Sequence, residues 1–134
     1  LVTPKLPALF DYQESLLAPV PPTGSYDMEA AERGKLLFDG KAGCAGCHSG
    51  DQYTDAGITL HEAHEVGADP LYATRTITRR YRTTPLRALW QHPPYYHNGE
   101  FETLAEVVDH YDLVHNLGLT GTEKTNLEEF LKSL

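Results

Sequence analysis

The stretch Cys44-Ala45-Gly46-Cys47-His48 decides how the rest of this chain is read. Two cysteines three residues apart, with a histidine directly after the second, form the C-x-x-C-H signature of c-type haem attachment. The spacing follows from the chemistry. Each thiol adds to one vinyl group of the haem, and the adjoining imidazole reaches the iron from the same side, so attachment and choice of the proximal ligand are one event. Other readings of a C-x-x-C pair fare worse. A zinc ribbon needs a second ligand pair, and the chain has no third cysteine. A redox dithiol of thioredoxin type wants a strand–helix–strand context that the flanking sequence lacks. The expectation is therefore one covalent haem c with His48 on its iron. Thioether haems mature outside the cytoplasm, so a bacterial periplasmic location is expected too.

Composition limits the alternatives. With 134 residues, a formal net charge of −8 and 40% hydrophobic residues, the chain is one globular domain. The acidity argues against nucleic acid as a partner, because phosphate neutralisation needs a cationic face. No apolar run approaches the roughly 18 residues of a membrane span. The chain starts at Leu1 without Met or a signal pattern, which reads as a processed protein or a piece of a longer one.

Outward from the motif, the pattern is helical. Residues 1–26 hold Pro4, Pro7, Pro19, Pro21 and Pro22 and read as an extended N-terminal segment, with a short helical turn around 9–17. Residues 27–134 read as a monohaem cytochrome domain. Asp27 caps a helix to Phe38 that puts Ala31, Gly34, Leu37 and Phe38 on one face. Gly34 inside it costs about 1 kcal/mol relative to Ala, which points to a close helix crossing. Residues 49–100 lack clean periodicity and read as long haem-wrapping loops. Thr103 with Glu106, and Thr120 with Glu123, are capping boxes that open helices over 103–112 and 120–134. The last carries an apolar stripe of Leu127, Phe130, Leu131 and Leu134. The expected fold is all-α: a single-domain c-type cytochrome whose first and last helices cross, with Gly34 opposite Phe130 or Leu131.

The blocks around these elements resemble a known family. Gly34-Lys35-Leu36-Leu37-Phe38, the haem motif, Tyr53-Thr54-Asp55, Tyr81 to Arg87, Pro94 to Gly99, Thr103-Leu104 and Leu127 to Leu134 are together similar to the C-terminal haem domain of bacterial di-haem cytochrome c peroxidases, over residues 27 to 134. Three features depart from it. This chain can attach only one haem. Asn98 stands where the family usually has Asp. The axial methionine of the peroxidase domain is missing, and Tyr111 aligns with its place. A tyrosine opposite the haem histidine is the arrangement of the MauG-like enzymes, so the resemblance implies Tyr111 as the sixth ligand.

The residues support this independently. On a helical wheel Tyr111 falls about 20° from Leu104, central on the face shared with Val107 and Val108. His110 falls on another side and is expected in solvent or behind the ligand. An ordinary core tyrosine is the bland alternative. Met28, the only methionine, lies upstream and reads as packing; it and His115 are the rival ligands, beside an open position. Arg75, Arg79, Arg80, Arg82 and Arg87 form a local positive patch. Arg87 is the expected haem propionate contact, with Pro85 and Leu86 lining the haem, because this block resembles the family's haem-lining strip. His61 and His64, with Glu62 and Glu65, have a metal-like spacing but read as a polar surface turn. His97 is expected behind the haem, and Trp90 in packing.

Three functions follow from one haem. The favoured one is single-electron transfer to a redox partner protein or haem domain. The same chemistry holds if the chain is the relay domain of a larger multihaem oxidoreductase. A haem enzyme of peroxidase or oxygenase type needs a labile sixth iron position.

Overall fold

A computed structural model describes residues 3–134. Its elements are five α-helices: α1 (Leu6–Ser15), α2 (Met28–Asp39), α3 (Pro70–Ala73), α4 (Leu104–His115) and α5 (Gly121–Lys132). Three single 3-10 turns accompany them, at Thr3–Lys5, Cys44–Gly46 and Leu89–Gln91. The described residues form no sheet, only isolated antiparallel bridges at His61–Tyr81 and Tyr95–Phe101. The fold is the expected all-α one, with long loops between α2 and α4.

The helix starts are set by their caps. Asp27 accepts from the Ala30 amide at 2.9 Å. Both capping boxes are formed, Thr103 with Glu106 and Thr120 with Glu123, so each first turn has its free amides satisfied. Helix α4 runs three residues past its expected end, because nothing breaks it before Asn116 takes the left-handed capping conformation. The N-terminal segment is not extended throughout. Leu6–Ser15 is helical, since Pro7 occupies the first turn, where its missing N–H costs nothing, and no proline follows until Pro19. The expectation for residues 1–2 lies outside the described residues.

The core is the crossing of α2 and α5, flanked by α4. Gly34 sits at the contact. A Cβ there would lie 1.9 Å from the Asn126 carbonyl oxygen and 2.8 Å from Phe130 Cβ. One turn further on, Phe38 packs edge-on against Phe130, ring centroids 5.1 Å apart. Leu104 and Val108 of α4, Leu86, Leu119, Leu127, Leu131 and Leu134 complete the cluster. Outside it, Lys41 ties the loop after α2 to the start of α5 through Glu123, at 2.7 Å.

Two outcomes follow. Gly34→Ala should lower stability by about 1–3 kcal/mol or more in thermal or urea unfolding, since the obstructing atoms are backbone and cannot swing aside. An unchanged melting temperature would place Gly34 outside the crossing. Lys41 and the Thr120 backbone hold the Glu123 carboxyl down to about 2. A carboxyl lower in the folded than the unfolded state stabilises above its unfolded value and loses that contribution as pH falls. Melting temperatures of wild type and Glu123→Gln should therefore differ at neutral pH and converge as pH falls from about 4.5 towards 2.

Candidate functional site

The C-x-x-C-H segment folds as a tight turn. Gly43, in the left-handed region, opens it, and the Cys47 and His48 amides both donate to the Cys44 carbonyl, at 3.2 and 2.9 Å. This closure gathers Cys44, Cys47 and His48 at one place. Both thiols are free and half-buried. Burial pushes the Cys44 thiol up to about 11. Burial, with Asp55 and Glu65 nearby, raises Cys47 too.

His48 is fixed by the chain around it. Its Nδ1–H donates to the Tyr53 carbonyl at 2.9 Å. Burial lowers its pKa, against the pull of that carbonyl, so the ring is neutral near pH 7 and Nε2 carries the lone pair. Phe38 lies 6.4 Å from the imidazole and 6.0 Å from the Tyr53 ring, so the helix crossing supports both.

The remaining predicted residues take varied places. Leu86 is buried in the core and Pro85 is half-buried beside it. Arg87 lays its guanidinium over the Tyr53 ring at 5.1 Å and donates from Nε to the Asp51 carbonyl at 2.7 Å, clamping the loop that anchors His48. Tyr111 is half-buried on the α4 face with Leu104 and Val108, as the wheel predicts. Burial raises its phenol, the neighbouring Tyr96 hydroxyl lowers it, and Cys44 and Cys47 raise it again. Met28 is 68% exposed at the start of α2. His115 is exposed and stacks on Tyr111, rings 5.7 Å apart and 4° from parallel. His92 is exposed, and Asn98 bonds within its own turn, to Glu100.

Two histidines are not solvated: His110, expected in solvent or behind Tyr111, packs on Tyr111, and His61 leaves the expected surface turn. His110 is half-buried; its Nε2–H donates to the Gly67 carbonyl at 3.0 Å, and its ring packs against Tyr96, Phe101 and Tyr111. Gly67 permits this approach, since a Cβ there would lie 2.7 Å from His110 Nε2. His61 is not on a polar surface turn. It is 8% exposed, and its Nε2–H donates to Asp55 at 2.8 Å, while Nδ1 faces Cys47 Sγ at 4.0 Å. Cys47, Asp55 and His61 thus bring a sulfur, a carboxylate oxygen and a ring nitrogen within 4.8 Å of one another. His64, by contrast, is exposed. The Asp55–His61 pair has no periodic signal. The backbone bridge from His61 to Tyr81, at 2.8 and 2.7 Å, makes it, and the sequence does not announce that bridge.

The donors fit a haem. Two free thiols flank an imidazole with a fixed tautomer, and the Trp90 indole N–H is buried without an acceptor, as a donor awaiting an anionic group would be.

No protein-family model matches the chain. It is similar, at 40% identity over 86 residues, to the methylamine utilization protein MauG of Methylorubrum extorquens, covering 60% of this chain and 24% of that protein. It is 32% identical to the cytochrome-c peroxidase IdrP1 of Pseudomonas sp. strain SCT, over 75% of this chain and 35% of the relative. The chain fits the MauG-like cytochrome c peroxidase family. It spans well under half the length of either relative. A solved MauG-like protein associated with microbial copper homeostasis shares the fold, with a TM-score of 0.64 and 24% identity over 84% of this chain and 48% of that one. The MauG-like chain is thus a haem protein. No helix among its described residues is long and apolar enough to cross a membrane.

Removing the Asp55 carboxylate would leave the His61 N–H buried without its acceptor. Asp55→Ala should cost about 1–3 kcal/mol in urea unfolding, and Asp55→Asn, which keeps a carbonyl acceptor, should cost less. Equal losses would mean that the pair contributes nothing specific.

Proposed function

We propose that this chain is a periplasmic monohaem c-type cytochrome domain that passes single electrons to a redox partner protein or a further haem domain. The observation that carries the reading is the turn that gathers two free thiols and an imidazole whose Nδ1 is tied to the Tyr53 carbonyl; the buried-side position of Tyr111 on α4 supports it. In this reading Cys44 and Cys47 would carry the thioethers, and His48 Nε2 and the Tyr111 oxygen would hold the iron. A haem held there supplies a one-electron Fe(III)/Fe(II) couple.

The chain's own groups do the rest. Tyr53 holds the proton on His48 Nδ1, which keeps Nε2 free to donate. Pro85 and Leu86 supply apolar lining. Arg87 and the Trp90 N–H are cationic and neutral donors for the propionates. Tyr111 keeps its proton in this buried setting until a metal's positive charge displaces it. As a hard anionic donor it would favour ferric iron and leave no open iron position, which would suit outer-sphere electron exchange. The names of the cytochrome c peroxidase relatives favour a second reading, an enzyme acting at that position, and it requires Tyr111 to be absent from it or labile.

Three measurements test the proposal. Mass spectrometry should find one added haem of about 0.6 kDa that resists acid–acetone extraction; an extractable haem would overturn thioether attachment. The ferric absorption and EPR spectra should be low-spin and indifferent to peroxide, and the ferrous protein should ignore carbon monoxide; rapid ligand binding or peroxide turnover would support the enzyme. Tyr111→Phe should turn the ferric haem high-spin and raise its potential. An unchanged spectrum would assign the sixth position to another residue, with His115 and Met28 next in line.

A further inference from the structure

Charge is unevenly distributed along this chain. From Pro70 to Gly99 there is no Asp or Glu, while Arg75, Arg79, Arg80, Arg82 and Arg87 all fall within that stretch. With an overall formal charge of −8, those five arginines leave −13 for the remainder. Arg87 is committed to the His48 loop. The other four stand exposed on the segment 71–82, and among the described residues only Arg80 forms an ion pair, an exposed one with Glu62 at 3.3 Å. Apolar side chains lie among them. Leu71 is 55% exposed, Ile77 projects wholly into solvent, and Tyr72 carries the Arg75 guanidinium over its ring at 5.1 Å.

This patch is joined to both sides of the candidate haem site. On one side, Tyr81 pairs by backbone with His61, whose Nδ1 faces Cys47 Sγ. On the other, Tyr72 and Tyr81 both pack on His97, at 4.9 and 4.7 Å, and His97 packs on Tyr96, which is 6.0 Å from Tyr111. An apolar centre with a cationic rim, bordered by Glu62 and Asp69 and connected to the candidate haem site, has the make-up of an electron-transfer docking face. The cationic rim complements an acidic surface, which commits the face to an acidic partner.

We propose that segment 71–82 is the docking face for an acidic one-electron partner protein, steered by Arg75, Arg79, Arg80 and Arg82 and seated on Leu71, Tyr72 and Ile77. The proposal rests on the haem reading above for its purpose, but its test does not depend on it. A flavodoxin, an acidic one-electron protein, serves as the probe, and titration calorimetry of the purified chain measures its affinity at low and at physiological ionic strength. Affinity should fall about tenfold or more as salt rises. The triple variant Arg75→Glu/Arg79→Glu/Arg82→Glu should lose about tenfold more affinity than a matched triple variant, Lys5→Glu/Arg33→Glu/Lys35→Glu, which makes the same change in net charge elsewhere. Ile77→Asp, at a side chain free of packing, should weaken binding without altering the melting temperature, and it keeps the test decisive if the triple variant unfolds. Equal losses in the two triple variants, or binding that ignores salt, would overturn the proposal. So would a low-salt dimer in sedimentation that Arg75→Glu/Arg79→Glu/Arg82→Glu abolishes, since the occupant would then be a second copy. The visible spectrum reports haem content separately, so a chain without haem sinks the electron-transfer reading and leaves the docking result to stand or fall by itself.

Discussion

The closeness of α2 to α5 at Gly34 sets the geometry of everything around it. Only a hydrogen fits between the two backbones, because a Cβ would sit 1.9 Å from the Asn126 carbonyl oxygen. A mid-helix glycine costs about 1 kcal/mol in propensity, and the packing it permits outweighs that. With the helices this near, Phe38 meets Phe130, and the same ring then supports His48 and Tyr53. The imidazole is thus positioned by an inter-helix distance as well as by its own turn. Widening the crossing would move His48 along with the core.

Local rules made much of this legible in the sequence. The C-x-x-C-H turn, the Asp27 cap, the two capping boxes and the α4 face bearing Tyr111 each depend on residues within a turn or two of one another, and the structure shows the local geometry that spacing alone implies. What escaped depends on partners far along the chain. A wheel turns His110 away from the apolar face, but the chain around Gly67 and Phe101 covers that side of α4, so it is not solvent. Asp55 and His61 read as two unrelated polar residues until Tyr81, twenty positions on, pins the second beside the first. The helix at Leu6–Ser15 begins three residues before the turn expected around 9–17, because Pro7 falls where a helix tolerates it.

The candidate site is electrically quiet. Both thiols are pushed towards their protonated form, the buried imidazole towards its neutral form and the Tyr111 phenol towards its protonated form. The exception is Asp55, a buried carboxyl beside Cys47: burial works to raise it, and Thr83 and His61 hold it below its ordinary value. The other charges lie on the exterior, divided between the arginine segment and the acidic remainder of the chain. Of these groups only the Tyr111 phenol would release a proton to a bound cation, since the thiols would add across vinyl groups and the imidazole is already neutral.

Tyr53 carries a consequence of its own. It is a non-glycine residue at φ 53°, a conformation that costs about 1–2 kcal/mol, and it is held there between the aromatic cluster and the Arg87 guanidinium. In that conformation its carbonyl accepts the His48 N–H. A neutral amide oxygen draws far less on that proton than a carboxylate would, so the imidazole stays a plain σ-donor with little imidazolate character. The electron density that His48 would give to a bound metal is therefore capped by the backbone. Adjustment of its electronic character falls to whatever occupies the opposite face.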